Sequence, residues 1–425
     1  MSLIVLSIPI FFLLIGVELL IDKLRGTHYY RLNDAITNLS CGIGSQIVGK
    51  VIIGGLTIVG YQYLYTHWRF FEFPSLKADD PVWLVTITWL LLFLGVDFCY
   101  YWFHRLAHEI SVLWGSHIVH HQSEEYNLTV ALRQAWLQGA FSWVFYLPLA
   151  LIGFTPEMFI TVAAINTLYQ FWIHTKFIGK LPKPIEYIFN TPSHHRVHHG
   201  VNPKYIDRNH AGSLIIWDRM FGTFQEEEEE VVYGITTQTN SWNPLWVNFD
   251  YWLDLFRLTA RAKGFKNKMK MLFLKPGWRP DELGGVQVPK EVSTKTFIKY
   301  DTVVPAGLNN YVLIQYILLV IGTSLFLLKA NSLFNYAIQL GITAFIILTI
   351  VSFGALLEGK RWAMPMELGR WLLFAIGLPL LFVHTNYWWA VLLGAGLCSI
   401  LSAFWVSRYR NIGIVMTEQK VMSAV

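Results

Sequence analysis

Charged residues are scarce in this chain, and long hydrophobic runs take their place. Asp, Glu, Lys and Arg make up 14% of the 425 residues, whereas 54% are hydrophobic and the mean hydropathy is +0.41. An average soluble domain is roughly 25% charged, so this composition excludes an ordinary soluble protein and indicates an integral membrane protein. The aromatic share of 16% fits side chains placed at the level of the lipid headgroups.

Cysteine is also rare, which excludes a disulfide framework. The three cysteines, Cys41, Cys99 and Cys398, lie in or beside apolar stretches and form no CxxC pair. The net charge of +5 is mild and shows no basic groove pattern, so no nucleic acid partner is expected. A cleavage pattern is lacking before Asp22, which favours a retained membrane helix over a removed signal peptide.

Nine apolar segments have the length, or nearly the length, of a membrane-spanning helix, which needs about 20 residues. They are 3–21, 43–65, 83–103, 135–153, 156–173, 311–328, 333–356, 368–383 and 388–406. The fourth and fifth segments are joined by a Gly-Phe-Thr-Pro turn, and they either span twice or form a shorter re-entrant hairpin.

The basic residues at the segment ends predict one orientation. If the N-terminus is outside, then Lys23 and Arg25, the basic block 257–279, and Arg408 and Arg410 all fall on the cytoplasmic side, as membrane proteins prefer. The sequence thus predicts an all-α integral membrane protein of about nine transmembrane or re-entrant helices. We expect a catalytic unit over 1–260, a basic cytoplasmic connector over 261–305 and a four-helix membrane segment over 306–425.

Histidines form three clusters at the predicted cytoplasmic face. The clusters are His104-x3-His108, His117-x2-His120-His121 and His195-x2-His198-His199. Residues three and four apart share one face of a helix, so each cluster can direct several imidazoles towards one point. Eight histidines exceed the three protein ligands of a typical catalytic zinc, and they predict a pair of metal ions. His174, where the hairpin returns to the same face, is the best ninth ligand.

Residues around the clusters leave several roles open. Asp97 is seven residues before His104 and could orient a ligand imidazole. His194 is either a supporting group or a ligand of the other metal, and His210 is a weaker ligand candidate. A transporter would instead place acidic residues and histidines along a path inside the membrane spans. The clustering of the histidines at one face disfavours a transporter.

The stretches of sequence around the clusters resemble those of a known family. Residues 97–121 and 191–200 resemble the fatty acid hydroxylase and sterol desaturase superfamily of membrane di-iron enzymes. The stretches 114–127, 198–207, 215–224 and 232–235 are most similar to its ether-lipid branch, the alkylglycerol monooxygenases. The likeness covers roughly residues 1–260, and no motif could be aligned in the C-terminal helices.

The resemblance implies a specific chemistry. The histidines would hold two iron ions, and the enzyme would use O2 to hydroxylate a membrane lipid beside its ether oxygen, releasing fatty aldehyde and glycerol. Tetrahydrobiopterin would supply the electrons, and Glu109 matches the acidic residue that the family associates with the pterin. The alternatives are a sterol or fatty-acyl hydroxylase or desaturase, and a non-catalytic metal- or lipid-binding membrane protein. The compartment would be the endoplasmic reticulum or a bacterial inner membrane, and the oligomeric state is left open.

Overall fold

The computed structural model describes residues 3–74 and 80–411, and helices account for their regular structure. Within these ranges no β-strand forms, and one isolated bridge joins Gly200 to Tyr233. This confirms the all-helical prediction. The residues 1–2, 75–79 and 412–425 lie outside the described ranges.

Four helices come first in the chain, and the last of them carries His104 and His108. They are α1 (Leu3–Arg25), α2 (Leu32–Val48), α3 (Gly54–Trp68) and α4 (Val82–Glu109). The predicted boundary of the second segment, 43–65, is wrong. A π-helical turn at Gly49–Ile53 joins α2 to α3, so helix begins at Leu32. Polar residues such as Asn33 and Asp34, both buried, hid this start from a hydropathy pattern.

Seven short α-helices and one of 17 residues follow α4, and two of the short ones carry further histidines. They are α5 (Ser111–Trp114), α6 (Ile118–His121), α7 (Gln138–Ser142), α8 (Leu147–Ile152), α9 (Pro156–Trp172), α10 (Lys183–Ile188), α11 (Pro192–His198) and α12 (Ile216–Phe221). Two amphipathic helices come next, α13 (Pro244–Arg261) and α14 (Phe265–Phe273). The chain ends in α15 (Ala306–Leu333), α16 (Tyr336–Leu357), α17 (Ala363–Leu380) and α18 (Trp388–Ser407), the predicted four-helix segment.

Five helical stretches in the described ranges are long and apolar enough to cross a membrane. They are Leu32–Ile53, Val82–Glu109, Ala306–Ala330, Tyr336–Leu357 and Trp388–Ser407. The predicted hairpin is shorter than two full spans, because its arms are the 15 residues of Gln138–Ile152 and the 17 residues of α9. A span needs about 20 residues, so these lengths favour the re-entrant alternative.

The chain forms two compact units. One comprises 1–239 and 247–299, and the other 240–246 and 300–425. In the first unit α4 packs on α9, with Leu92 and Val96 of α4 and Met158 and Val162 of α9 in one buried cluster. The Nδ2 atom of Asn166 donates a hydrogen bond of 2.6 Å to Asp97, which joins the two helices nearer the histidines.

In the second unit a buried ion pair joins three helices. Arg370 and Glu367, both on α17, form the pair, and Glu367 also accepts hydrogen bonds from Ser352 of α16 and Tyr311 of α15. Breaking a buried pair by removing one partner leaves an uncompensated charge and costs about 3–5 kcal/mol. These contacts therefore specify how the C-terminal helices pack against one another.

Candidate metal centre

Nine buried histidines form two groups, and within each group the candidate ligand nitrogens all lie within 4.8 Å of one another. The first group contains His104, His108, His117, His121 and His198. The second group contains His120, His174, His195 and His199. Each group has the donor number and compactness needed to hold one metal ion.

Helical spacing explains which histidines meet. The pairs four residues apart, His104 with His108 and His117 with His121, belong to the first group, and His195 with His199 belongs to the second. Adjacent residues diverge by about 100° on a helix. His120 therefore leaves His121 for the second group, and His198 leaves His199 for the first.

The ring nitrogens face one another at the centre of each group. In the first group, the Nε2 atom of His117 lies 2.8 Å from that of His104 and 3.1 Å from that of His121. In the second, the Nε2 atom of His174 lies 3.2 Å from that of His120 and 2.9 Å from that of His195. His174, the expected ninth ligand, thus converges with the clusters although it comes from the end of α9.

Main-chain carbonyls orient several rings. The Nδ1 atoms of His120 and His174 lie 2.9 Å from the carbonyl oxygen of Arg133 and 2.7 Å from that of Gln170. A carbonyl can only accept, so Nδ1 carries the proton and Nε2 keeps its lone pair. Every residue has a backbone carbonyl, so the sequence alone could not identify these partners.

One loop orients the first group. Three of its imidazoles direct Nδ1 at the segment 207–211: His104 at the carbonyl of His210 (2.7 Å), His198 at the carbonyl of Arg208 (2.9 Å), and His108 at the carboxylate of Asp207 (3.7 Å). We call this segment the orienting loop. The Nδ1 side of each ring faces the orienting loop. The Nε2 atom therefore points away from the loop, towards the centre of the group.

A buried carboxylate anchors the orienting loop. The two oxygens of Asp218 accept hydrogen bonds of 2.8 Å from the amides of His210 and Ala211, and the hydroxyl of Thr223 donates a third, of 2.7 Å. Burial raises the pKa of Asp218 to about 6, although the three hydrogen bonds stabilise the carboxylate and lower the pKa in part. The loop is also strained, since Asp207 and Asn209 have φ of 56° and 55°.

Asp97 supports this region rather than an imidazole directly. Its oxygens accept hydrogen bonds from the amides of Ser213 (2.7 Å) and Leu214 (3.0 Å) and from the indole of Trp217 (2.9 Å). The expected contact with a ligand ring is thus replaced by a contact with the backbone that follows the orienting loop. The residue is fully buried, so each of these bonds is shielded from water.

The other candidate residues lie outside the two groups. Glu109 is at the end of α4, partly exposed and paired with Arg105 at 3.1 Å. His194 directs Nε2 at Glu186, 2.9 Å away, which makes it a supporting residue of α10 and α11. His210 is fully buried with its ring centroid 5.0 Å from that of His108, beside the first group.

The acidic run 226–230 is mostly exposed, and Glu227 is its one half-buried member. Glu227 accepts two hydrogen bonds of 2.7 Å from Arg196, one from Nε and one from Nη2, and a third from Ser193. Arg196 lies between His195 and His198 on α11, so the run holds the helix that supplies ligands to both groups. The arginine inside the histidine motif was the available signal for a carboxylate partner.

Burial keeps the imidazoles neutral. Of the seven group members outside α4, burial lowers the pKa of His120 to about 4 and that of His198 to about 3. Burial and the neighbouring imidazoles lower the pKa of the other five well below 6.5: His117, His121, His174, His195 and His199. A metal binds the deprotonated ring, so these residues are ready to act as ligands near neutral pH.

The donor set fits metal ions of the iron and zinc type. In the described part of the chain, the Nε2 atoms of His108, His198 and His199 are buried without a hydrogen-bond partner. Leaving such groups unpaired costs free energy, and a bound cation would satisfy them. Neutral imidazoles suit Fe, Cu, Ni and Zn.

Comparison with known proteins agrees with this geometry. The family model Fatty acid hydroxylase matches residues 89–223, a range that holds both histidine groups. The chain is 41% identical to alkylglycerol monooxygenase of Xenopus tropicalis over 86% of its own length and 79% of the relative's. It is 41% identical to the Homo sapiens protein of that name over 86% and 80%. An ornithine lipid hydroxylase of Rhizobium tropici is 30% identical over 30% of this chain and 39% of its own. No solved structure matches the chain.

Proposed function

Since the chain belongs to the alkylglycerol monooxygenase family, we propose that it cleaves the ether bond of alkylglycerols by hydroxylating the carbon next to the ether oxygen. The observation that carries the proposal is the pair of buried, neutral histidine groups. Each group can hold one metal ion, and a pair of redox-active metal ions can carry out this oxygen chemistry.

We assign the two groups to two iron ions. The proposed ligands are the nine histidines of the centre: His104, His108, His117, His121 and His198 for one iron, and His120, His174, His195 and His199 for the other. Bound iron would supply the redox chemistry that reduces O2 and inserts one of its oxygen atoms into a C–H bond. Iron, unlike zinc, changes oxidation state, which a monooxygenase requires.

The overall reaction balances with one external reductant. The alkyl carbon next to the ether oxygen loses hydrogen and gains a hydroxyl, while the second oxygen atom leaves as water with two electrons and two protons from the reductant. The hydroxylated ether is a hemiacetal, and it collapses to a fatty aldehyde and glycerol. We propose tetrahydrobiopterin as the electron donor and Glu109 as a residue that contacts it.

The chain's own residues hold and shield this site. The orienting loop, with Asp218 and Asp97 behind it, keeps the rings of His104 and His198 in one tautomer and direction. Burial of the histidines excludes bulk water, which would compete with substrate and protonate the ligands. We place the centre at the cytoplasmic face of the membrane, because the basic residues at the helix ends favour that side. The first unit is then the catalytic one.

A product assay tests the proposed function. Full-length protein in lipid nanodiscs, supplied with an alkylglycerol, O2 and reduced pterin, is expected to release fatty aldehyde and glycerol. The variant His120→Ala should abolish release while the helical content is unchanged, and Glu109→Gln should raise the pterin concentration needed. Products oxidised on a sterol or an acyl chain, with alkylglycerols left intact, would contradict the proposal and favour the related hydroxylases.

A further inference from the structure

Apolar side chains project from two helices that do not span the membrane. On α13, Leu253 is 48% and Phe256 51% exposed, and on α14, Phe265 is 77% and Phe273 58% exposed. Neither helix is among the candidate spans, and each carries charged residues. Exposed apolar groups of this size mark a contact with lipid or with another molecule.

The exposure follows the helical repeat on α13. Leu253 and Phe256 are three residues apart and point outward, whereas Trp252 and Leu255, also three apart, are 7% exposed each and pack inward. The exposed pair and the buried pair are neighbours on the helix, and the ring of Phe256 stacks on that of Trp252 with the centroids 5.7 Å apart. The buried pair anchors α13, and the exposed pair forms the outer border of the same apolar face.

The charge that follows Phe256 along the chain is basic. Between Arg257 and Arg279 the chain contains eight basic residues and no acidic one. Asp254, beside Leu253, is paired with Arg257 at 2.9 Å, which leaves seven of these basic residues outside that pair. An amphipathic helix with aromatic residues on one face and Lys and Arg around them is typical of a helix that lies in the membrane interface. Anionic phospholipid headgroups complement such a cluster.

We propose that the interfacial surface, formed by Leu253, Phe256, Phe265 and Phe273 with the basic residues of 257–279, lies in the headgroup layer and binds anionic phospholipids. The apolar side chains enter the boundary of the acyl chains, and the lysines and arginines reach the phosphates.

Two contacts connect the interfacial surface with the first histidine group. Directly after α14, the carbonyl of Leu274 accepts hydrogen bonds of 2.9 Å from both the amide and the hydroxyl of Ser111. The next residue, Lys275, lies 3.3 Å from Asp207 of the orienting loop, whose other oxygen is 3.7 Å from His108. One ion pair thus joins the segment directly after α14 to the orienting loop.

Fluorescence in lipid discs tests the proposal without metal or turnover. On a Cys398→Ser background, an environment-sensitive dye is attached at Phe265→Cys or Phe273→Cys in the full chain, because Cys41 and Cys99 are buried. In phosphatidylcholine discs containing phosphatidylglycerol, we expect the dye's emission to shift to the blue. We also expect lipids brominated near the headgroup to quench this emission. The same dye at Lys290→Cys, an exposed position outside the surface, should stay in water.

Charge variants separate the role of the anionic lipid. The pair Lys266→Gln and Lys268→Gln should remove most of the quenching that phosphatidylglycerol adds, and the matched pair Lys290→Gln and Lys295→Gln should leave it unchanged. High salt should have the effect of the first pair. Dyes that remain water-exposed in both kinds of disc would overturn the proposal, as would quenching that depends on neither phosphatidylglycerol nor these lysines.

Discussion

At the residue scale, each adjacent histidine pair is divided between the two histidine groups. His120 and His121 leave their helix in different directions, as do His198 and His199. The doubled histidine therefore has a geometric reason: a helix that passes between two groups needs neighbouring residues to reach both. Spacing alone predicted that the histidines converge, and the structure adds the partition into groups of five and four.

The substitution Asp218→Asn tests the anchor of the orienting loop. The amide side chain keeps the volume but loses one acceptor for the amides of His210 and Ala211. We expect the metal of the first group to bind about 10- to 100-fold more weakly, as when other supporting residues of metal ligands are changed. Metal content after dialysis should fall towards the occupancy of the second group alone.

The control for this variant is Asp281→Asn, an exposed aspartate in the same unit. It should retain the metal content of the parent protein. Equal loss of both metals in Asp218→Asn, or loss of neither, would contradict the assignment of the loop to the first group.

The lowered histidine pKa values predict that acid destabilises the metal-free protein. In the folded chain the pKa of His120 is about 4 and that of His198 about 3, whereas an unfolded histidine has a value of about 6.5. Between these values the unfolded state binds more protons, so stability is complete above about pH 6.5 and falls as the pH drops towards 4. Thermal unfolding in detergent at a series of pH values measures this.

Metal binding should also weaken as the pH falls, because protons and metal ions compete for the same nitrogen atoms. The variant His120→Gln removes one of the titrating groups and should show a shallower loss of stability with acid. A melting temperature that is constant from about pH 7 to about pH 5 would be inconsistent with buried, neutral imidazoles.

At the element scale, α4 and α9 deliver histidines to one place because their ends are joined. The Asp97–Asn166 hydrogen bond links the helices, and Gly212 packs against that link. A Cβ atom at Gly212 would lie 2.8 Å from Asp97 Oδ1 and 2.9 Å from Asn166 Oδ1. The position directly after the orienting loop thus has no room for a side chain.

The variant Gly212→Ala is expected to displace the orienting loop. Metal affinity should fall by about 10- to 100-fold, and the melting temperature should decrease, both measurable on the purified protein. Gly179→Ala is the matched control, since a Cβ atom there has no neighbour within 4 Å. If Gly212→Ala binds metal as tightly as the parent protein does, crowding at Asp97 does not displace the orienting loop, and the prediction is wrong.

Elements differ in how far the sequence could predict them. The apolar runs predicted α4 and the four C-terminal helices, because hydropathy is the property that membrane burial selects. The start of α2 could not be predicted, since its buried polar residues form hydrogen bonds within the protein, such as that of Ser123 to Asp34. Likewise, Asp97 was placed near the site, but its partners at Ser213 and Leu214 are backbone amides distant in sequence.

At the scale of the whole molecule, the apolar composition and the histidine clusters serve one task. A lipid substrate resides in the bilayer, and a chain with long apolar helices can bring a buried metal centre to it. The family relationship extends over 86% of the chain, beyond the matched hydroxylase region, so it includes the C-terminal helices in part. Among these helices, Glu367 of α17 pairs with Arg370 and accepts hydrogen bonds from Ser352 of α16 and Tyr311 of α15, which links three of them.

Two iron ions in the two histidine groups would be visible in an elemental analysis of the purified protein. Full-length protein purified from iron-supplied cells, analysed for iron and zinc together with protein concentration, should contain about two iron ions per chain, one for each imidazole-rich group. A single tightly held zinc ion per chain, with no iron retained, would rule out a di-iron centre.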